Sequence, residues 1–483
     1  MTKTVQTQPV FGKTRHIHMV GIGGIGMSGM AEILLQRGYK VTGSDGSLSE
    51  TTERLSELGA EIFVGHSGSN IEGADVVVYT SAVKAEENVE TQAAIDLGIP
   101  VIKRAEMLAE LMRMKYGIGV AGTHGKTTTT TMTGLVVQAG DFDPTIIVGG
   151  RVHSFDKTNA VVGSGDIIIV EADEFDRTFL RLSPSLAVIT NVDVDHMDIY
   201  HDDEDIKDAF VEFGNKVPFY GAVILCLDDP MLRSIIPRIK RRMITYGFTP
   251  QAEVRAVDNK VGPMKSTFTV LFKEEELGRV TIKVPGDHNV RNALASIAIG
   301  LELGMDFESI KKGLKRYSGV FRRFQVKHEQ DDLLVIDDYA HHPTEVKATL
   351  ESIKRGWPKR RVVAVFQPHL YSRTQELYEE FGLSFFDAET IVITDIYPSR
   401  EEPIEGVSGK LIADTAKAYG HRGVHYLEDK KQLPSKLDAN VEPGDIVITM
   451  GAGDIYKYGE LYVEMIRSDE SQLKGKSRRD QPE

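Results

Sequence analysis

The sequence predicts an α/β protein of three domains built on mostly parallel sheets, and three observations predict it. Short apolar runs alternate with helix-like segments from His16 onward, the pattern of repeated strand and helix units. Two glycine-rich turns, GIGGIG at 21–26 and GTHGK at 122–126, each stand between an apolar run and a helix-like one. The length, 483 residues, is about three times that of a typical domain, and an apolar fraction of 41% can fill several cores.

The first strand and helix pass from HIHMVGIG through MSGMAEILLQRG to KVTGSD, and DVVVYT and PVIKRA extend the same small sheet, which ends near residue 112. A second series opens with YGIGVAG and a helix after Lys126. It continues through DIIIVEAD, LAVITNVD and AVILCL, which read as central strands covered on both faces. Residues 250–285 are rich in glycine and charge and read as antiparallel edge strands, and HNVRNALASIAIGLELG reads as the closing helix. After RRFQ a third series follows: LLVIDDYAHH, VVAVFQPH, TIVITDIYPS and DIVITMGAGD. Each ends in polar residues, and open α/β sheets bind ligands at the carboxyl ends of their strands. The opening segment and residues 468–483 are polar and are expected to be tails.

Composition narrows the function. A net charge of -14 argues against a large nucleic-acid footprint or an anionic membrane surface. No run approaches the roughly 18 apolar residues of a membrane helix, and the N-terminus lacks the apolar core of a signal peptide. The single cysteine, Cys226, rules out an intrachain disulfide and reads as a small core residue in a reducing compartment. Together these features point to the cytoplasm.

Gly122, Thr123, His124, Gly125, Lys126, Thr127 and Thr128 form the sharpest motif. Between a strand and a helix, such a loop lets backbone N–H groups approach phosphate oxygens, with Lys126 adding a charge and Thr127 a hydroxyl for Mg²⁺. The commonest form of the motif has glycine where Val120 stands. Glu171 and His196 end or follow neighbouring strands and suit divalent cations beside a nucleotide, with Asp173, Glu174, Asp193 and Asp195 nearby. Gly21 to Gly26, with Asp45 at the next strand end, is a dinucleotide-type fingerprint that does not separate NAD from a UDP-sugar, nor either from plain strand–helix packing. Asp338, Tyr339, His341 and His342 follow one strand of the third series, and His369 and Arg373 the next. The paired histidines lack further ligands at zinc spacing. Arg373 suits a carboxylate, and Arg322 and Arg323 stand where the third series begins.

GTHGKTTT, EADEFD, TNVDVDHMD, HNVRNALA, RRFQ, DDYAHHPTE and FQPHLYSRT, in this order, resemble the Mur ligase family over nearly the whole chain. The resemblance implies a Rossmann-like UDP-sugar domain at 1–112, a central P-loop-type ATP domain at 113–321 with a mostly parallel sheet, and a Rossmann-like amino-acid domain at 322–483. It implies ligation of an amino acid to UDP-N-acetylmuramate through an acyl phosphate, with ATP and two Mg²⁺ ions. GIGGIGMSGMAE and YAHHPTE are similar to the forms that take L-alanine. Carried over by position, Gly122 to Thr128, Asn289, Asn292, Arg323 and Asp338 bind ATP, while Thr127, Glu171 and His196 attend the metal. Gly23, Gly24, Ile25, Gly26, Asp45, His66 and Ser81 face the UDP-sugar. Tyr339, His341 and Arg373 line the amino-acid site, and Lys126, His341 and Arg373 carry the chemistry. Some members have arginine where Leu370 stands. The expected assembly is a monomer or homodimer, without nucleic acid or membrane. Three other readings compete: a ligase that recycles cell-wall tripeptide, an NAD-dependent oxidoreductase, and a binding protein that hydrolyses ATP to move its domains.

Overall fold

The computed structural model describes residues 11–80, 83–155, 158–194, 199–330, 333–399 and 401–479 and, within them, all side chains except those of Ile25, Asp176 and 469–479. The chain forms two compact units, Met1–Val257 with Thr269–Val280 and Arg291–Ser318, and Asp258–Phe268 with Thr281–Val290 and Gly319–Glu483.

Three sheets organise these units. In the first, the strands Glu61–Val64, Lys40–Asp45, His16–Val20, Val76–Tyr79 and Val101–Lys103 lie side by side in that order, all parallel. The order reverses beside His16–Val20, the place where doubly wound sheets open a crevice for ligands. The second sheet has ten strands. Its centre is Tyr116–Ala121, flanked by Leu186–Ile189 on one side and Ile167–Glu171 on the other, all parallel. Leu186–Ile189 is buried at every position, as a strand covered on both faces must be.

The stretch expected as antiparallel edge strands forms Val254–Gly262, Lys265–Phe272 and Glu275–Ile282, neighbours at one end of this sheet. Two-residue connections permit only antiparallel pairing. At the second connection Lys273 and Glu274 both take positive φ, 50° and 69°, the backbone of a turn that matches strand twist.

The third sheet is parallel except for its first strand, Gln325–Gln330. Its last strand, Ile446–Met450, lies between Leu333–Asp338 and Val362–Phe366. The period of two is visible in its packing. Ile336, Ala364, Ile391 and Ile448 enter one core cluster, while Val335, Val363, Val392 and Val447 enter another on the opposite face.

Cys226 is buried in its strand, as its apolar neighbours imply. The tail expected at 468–483 is corrected: one helix runs Ile455–Arg479. Ile455, Tyr462 and Val463 anchor its first turns in the core, and the Glu, Gln, Lys and Arg residues beyond are good helix formers that propagate a helix already nucleated. Of the tail expected over the opening segment, 1–15, residues 1–10 lie outside the described residues, whereas 11–15 are tied down: Phe11 N donates to Tyr39 Oη at 3.0 Å and Arg15 N to Asp75 Oδ2 at 2.6 Å.

Candidate active site

The phosphate-type loop leaves the carboxyl end of Tyr116–Ala121 and enters the helix Lys126–Ala139. Two glycines make the turn. Gly122 has φ 126° and a side chain there would collide with Thr190, and Gly125 at φ 81° would place a Cβ 2.7 Å from Asn292 Oδ1. The segment after Leu186–Ile189 pins the loop: Asn191 Oδ1 accepts from His124 N at 2.8 Å, Asn191 Nδ2 donates to His124 O at 2.9 Å, and Thr190 Oγ1 donates to the same carbonyl at 2.6 Å. His124 Nε2 and Asp193 Oδ2 stand 2.9 Å apart.

Lys126 is held at the mouth of this turn. Its ammonium donates to Gly122 O at 2.9 Å and to both oxygens of Glu174, at 2.8 and 2.6 Å. Burial works against its charge, but Glu174 and Asp173 carry its pKa above the ordinary lysine value. Burial in turn pushes the Glu174 carboxyl up to about 7, with Lys126 opposing. Thr127 Oγ1 donates to Glu171 Oε1 at 2.9 Å, and Gly149 N donates to Glu171 Oε2 at 2.6 Å. A hydroxyl and a carboxylate beside a cationic anion loop are the hard oxygen donors a divalent cation takes, so the residues present fit Mg²⁺. Burial raises the Glu171 carboxyl, and Lys126 lowers it. His196 lies outside the described residues. Asn289 and Asn292 stand three residues apart, on one face of the helix Asp287–Glu302.

In the first sheet the glycine turn enters the helix Ile25–Gln36, with Gly24 at its N-cap. Gly23 N donates to Asp45 Oδ2 at 3.0 Å. His66 follows the strand Glu61–Val64, and its Nδ1 lies 2.9 Å from Glu90 Oε2. Ser81 lies outside the described residues. A cavity of about 150 Å³ runs from Gly26 and Arg104 to Gly149, Glu171 and Asp173. The structure thus brings the first glycine turn and Glu171 to one cavity, and it adds Arg104, which no motif had singled out.

In the other unit, Asp338 ends its strand with both oxygens engaged, accepting from Phe324 N at 2.7 Å and Ala340 N at 2.8 Å. Burial pushes its carboxyl up to about 6, while Arg323 opposes. Arg323 donates to Glu345 Oε1 at 3.2 Å and lies 5.1 Å from the centre of the Tyr339 ring. Glu345 Oε2 also accepts from His341 N at 3.0 Å, and His341 Nδ1 stands 3.0 Å from Tyr339 O. Glu345 therefore braces two expected site residues at once, a role no spacing signalled. Arg322 also lies 5.1 Å from the centre of the Tyr339 ring, and it donates to Gly451 O at 2.6 Å, Gly453 O at 3.1 Å and Asp337 Oδ2 at 3.2 Å. His342 caps the helix Pro343–Gly356, its Nδ1 accepting from Thr344 N. Arg373 is buried on the helix Tyr371–Leu383, with Nη1 3.5 Å from His369 Nδ1, and the His369 and His341 rings lie 6.2 Å apart. Leu370, at the N-cap, takes φ 72°.

Three α/β sheets and a lysine-bearing phosphate loop at a central sheet edge define a multidomain nucleotide-binding α/β protein. Residues 16–116 match the Mur ligase family, catalytic domain, residues 120–300 the Mur ligase middle domain, and residues 322–453 the Mur ligase, glutamate ligase domain. The chain belongs to the Mur ligase family. A UDP-N-acetylmuramate–L-alanine ligase from Salinibacter ruber is 55% identical over 96% of this chain and 98% of its own length. One from Geotalea daltonii is 54% identical over 95% and 99%. A solved UDP-N-acetylmuramate-alanine ligase from Thermotoga maritima superposes with a TM-score of 0.78 at 30% identity, covering 94% of this chain and 99% of that one. A murein peptide ligase from Psychrobacter arcticus shares the fold, with a TM-score of 0.66 at 23% identity over 93% and 98%.

Proposed function

We propose that this chain is an ATP-dependent ligase that joins L-alanine to the carboxylate of UDP-N-acetylmuramate, releasing ADP and phosphate and giving UDP-N-acetylmuramoyl-L-alanine for peptidoglycan synthesis. The observation that carries this reading is identity of 50–55% to ligases of that name over 94–96% of the chain. The carboxylate attacks the γ-phosphate of ATP to form an acyl phosphate, and the neutral amine of alanine then displaces phosphate and sheds a proton.

The chain's own groups mainly position reactants and stabilise charge. Lys126 moves its ammonium from Glu174 to the transferring phosphoryl group, and the N–H groups of the 122–128 turn cradle the phosphates. Thr127 and Glu171 would hold Mg²⁺, with His196 serving a second ion, and the metal would supply positive charge to offset that on the phosphate oxygens. Asn289, Asn292, Arg323 and Asp338 serve the nucleotide. Gly23 to Gly26, Asp45, His66 and Ser81 serve the UDP-sugar. Tyr339 and His341 line the amine pocket, where His341 accepts or orients the proton, and Arg373 holds the alanine carboxylate.

We assign 1–112, 113–321 and 322–483 to UDP-sugar, ATP and amino acid respectively, supported by the nearby limits of the three family matches. Among the described residues no helix is long and apolar enough to cross a membrane. We place the reaction in the cytoplasm, the reducing compartment that a single buried free cysteine suits. The test is to incubate the protein with ATP, Mg²⁺ and UDP-N-acetylmuramate plus single amino acids or the L-alanyl tripeptide, and to weigh the products. A product heavier by one alanine residue is expected; a tripeptide adduct without an alanine adduct overturns the reading in favour of a recycling ligase.

A further inference from the structure

Beneath the carboxyl edge of the first sheet lies a buried carboxylate that the reaction scheme leaves unused. Glu90, in the first turn of the helix Val89–Asp96, is fully buried. Its Oε2 accepts from Ser44 Oγ at 2.5 Å and meets His66 Nδ1 at 2.9 Å. Its Oε1 accepts from Asn70 Nδ2 at 2.6 Å and faces His18 Nε2 at 3.7 Å. Burial alone would raise this carboxyl, but His18, Ser44, Asn70 and His66 outweigh it and hold it down at about 2. The group is therefore a carboxylate, which accepts hydrogen bonds and donates none.

That fact fixes the imidazole beside it. A carboxylate at Nδ1 requires the proton to sit on Nδ1, and the opposite nitrogen, Nε2, then points away from the buried cluster. The His66 side chain is one third exposed, against none for Glu90, so the pair runs from the interior to the surface at the strand ends. Ser44, which bonds both groups, is the residue before Asp45, whose carboxylate braces the glycine turn. The cluster and the turn are thus tied to one strand.

We propose that Glu90 is the positioning residue for His66, fixing its ring so that Nε2 is presented to the UDP-sugar. The proposal rests on the reading of His66 as a UDP-sugar contact, and the relation is that of a second group orienting the imidazole of a binding histidine.

A double-mutant cycle separates the two. UDP-N-acetylmuramate affinity is measured for wild type, His66→Ala, Glu90→Gln and the double variant, with kcat and the KM values for ATP and alanine, and ¹⁵N spectra report the His66 tautomer. Each single substitution is expected to raise the KM for UDP-N-acetylmuramate about tenfold, the double variant no further than His66→Ala, with kcat at saturation and the ATP KM unchanged. The tautomer signature is expected to move in Glu90→Gln. If His66→Ala leaves the KM unchanged, His66 is no contact and the proposal falls with that reading. If His66→Ala weakens binding but Glu90→Gln adds its own independent loss, or impairs ATP use equally, Glu90 only supports the fold and the positioning role is overturned. Should Glu90→Gln fail to fold, Glu90→Asp keeps the charge and draws it back from the ring; the same selective rise is expected, and an unchanged KM overturns the proposal.

Discussion

The chain makes a strand, a glycine turn and a helix twice, at residues 16–36 and 116–139, and the two turns obtain their charge from different places. The second carries its own cation, Lys126, on the first residue of the helix, with the metal-suited pair Thr127 and Glu171 beside it. The first carries none. A carboxylate, Asp45, occupies the N–H of Gly23, and a cation is brought to it by Arg104 from another helix, placed so that a methyl group on Gly26 would collide with its guanidinium. Both turns offer N–H groups to phosphates. A cation that travels with the loop and can leave its counter-ion suits a phosphoryl group that moves, whereas a fixed carboxylate and a borrowed guanidinium suit a ligand that is only held.

The largest effect expected from this contrast is at Lys126. Lys126→Ala should lower turnover by about 10³-fold or more, because it removes the charge nearest the transferring group, and UDP-sugar binding should stay intact. A variant that folds and keeps more than about a tenth of wild-type turnover would show that this loop is not the catalytic one. Removing one partner of a buried ion pair ordinarily costs about 3–5 kcal/mol. Glu174 softens that cost, since its carboxyl already stands at about 7 with Lys126 present and can take a proton instead. Its pKa in the folded variant lies above that of the unfolded chain, so the folded state binds the extra proton and stability falls as pH rises. The variant should therefore melt near wild type at about pH 6 and well below it at about pH 8.5.

Glu171→Gln comes next. It keeps shape but deletes an anionic oxygen, so the Mg²⁺ concentration for half-maximal activity should rise about tenfold. An unchanged Mg²⁺ dependence would leave the second turn with a lysine alone and weaken the contrast.

How far the contrast was legible in the sequence follows from what is local. Glycine, lysine and threonine at 122–128 announce a phosphate loop because all parts of it are neighbours in the chain, and the alternation of apolar runs announces parallel sheets for the same reason. Arg104, Glu345 and Glu90 gave no such signal. Each acts on a group at least 20 residues away, except Glu345, which follows His341 by four residues in a helix whose start had to be known first. The insertion of Ile446–Met450 between two earlier strands was equally hidden, since strand order depends on which faces pack and not on the pattern of any one run. Polar composition misled at 468–479, where helix propagation from a buried anchor decided the outcome.

A cation outside both turns sharpens the comparison. Arg373→Lys should weaken alanine use by about 1.5–3 kcal/mol, the scale of a hydrogen bond to a charged group, because a guanidinium fork matches a carboxylate better than an ammonium does. Apparent affinities for all three substrates decide it. A defect confined to ATP would make Arg373 a phosphate ligand and add a second cation to the ATP side.

The smallest effects belong to the first turn and test whether its charges only hold. Arg104→Ala should raise the KM for UDP-N-acetylmuramate by the equivalent of about 1–2 kcal/mol without touching kcat, since an anion loses one partner in a partly open cavity. Asp45→Asn should do less, about 0.5–1.5 kcal/mol. The amide keeps an oxygen for Gly23 N, so the turn stays braced, and what is lost is the stronger acceptance that a carboxylate gives to a sugar hydroxyl at this position of a doubly wound sheet. If the two turns divide the work as their charges indicate, both variants change the UDP-sugar KM and leave the ATP KM and saturated turnover where they were. A loss of turnover in Asp45→Asn with unchanged UDP-sugar affinity would mean that the first turn also takes part in the chemical step, and the division between a holding loop and a reacting loop would have to be abandoned.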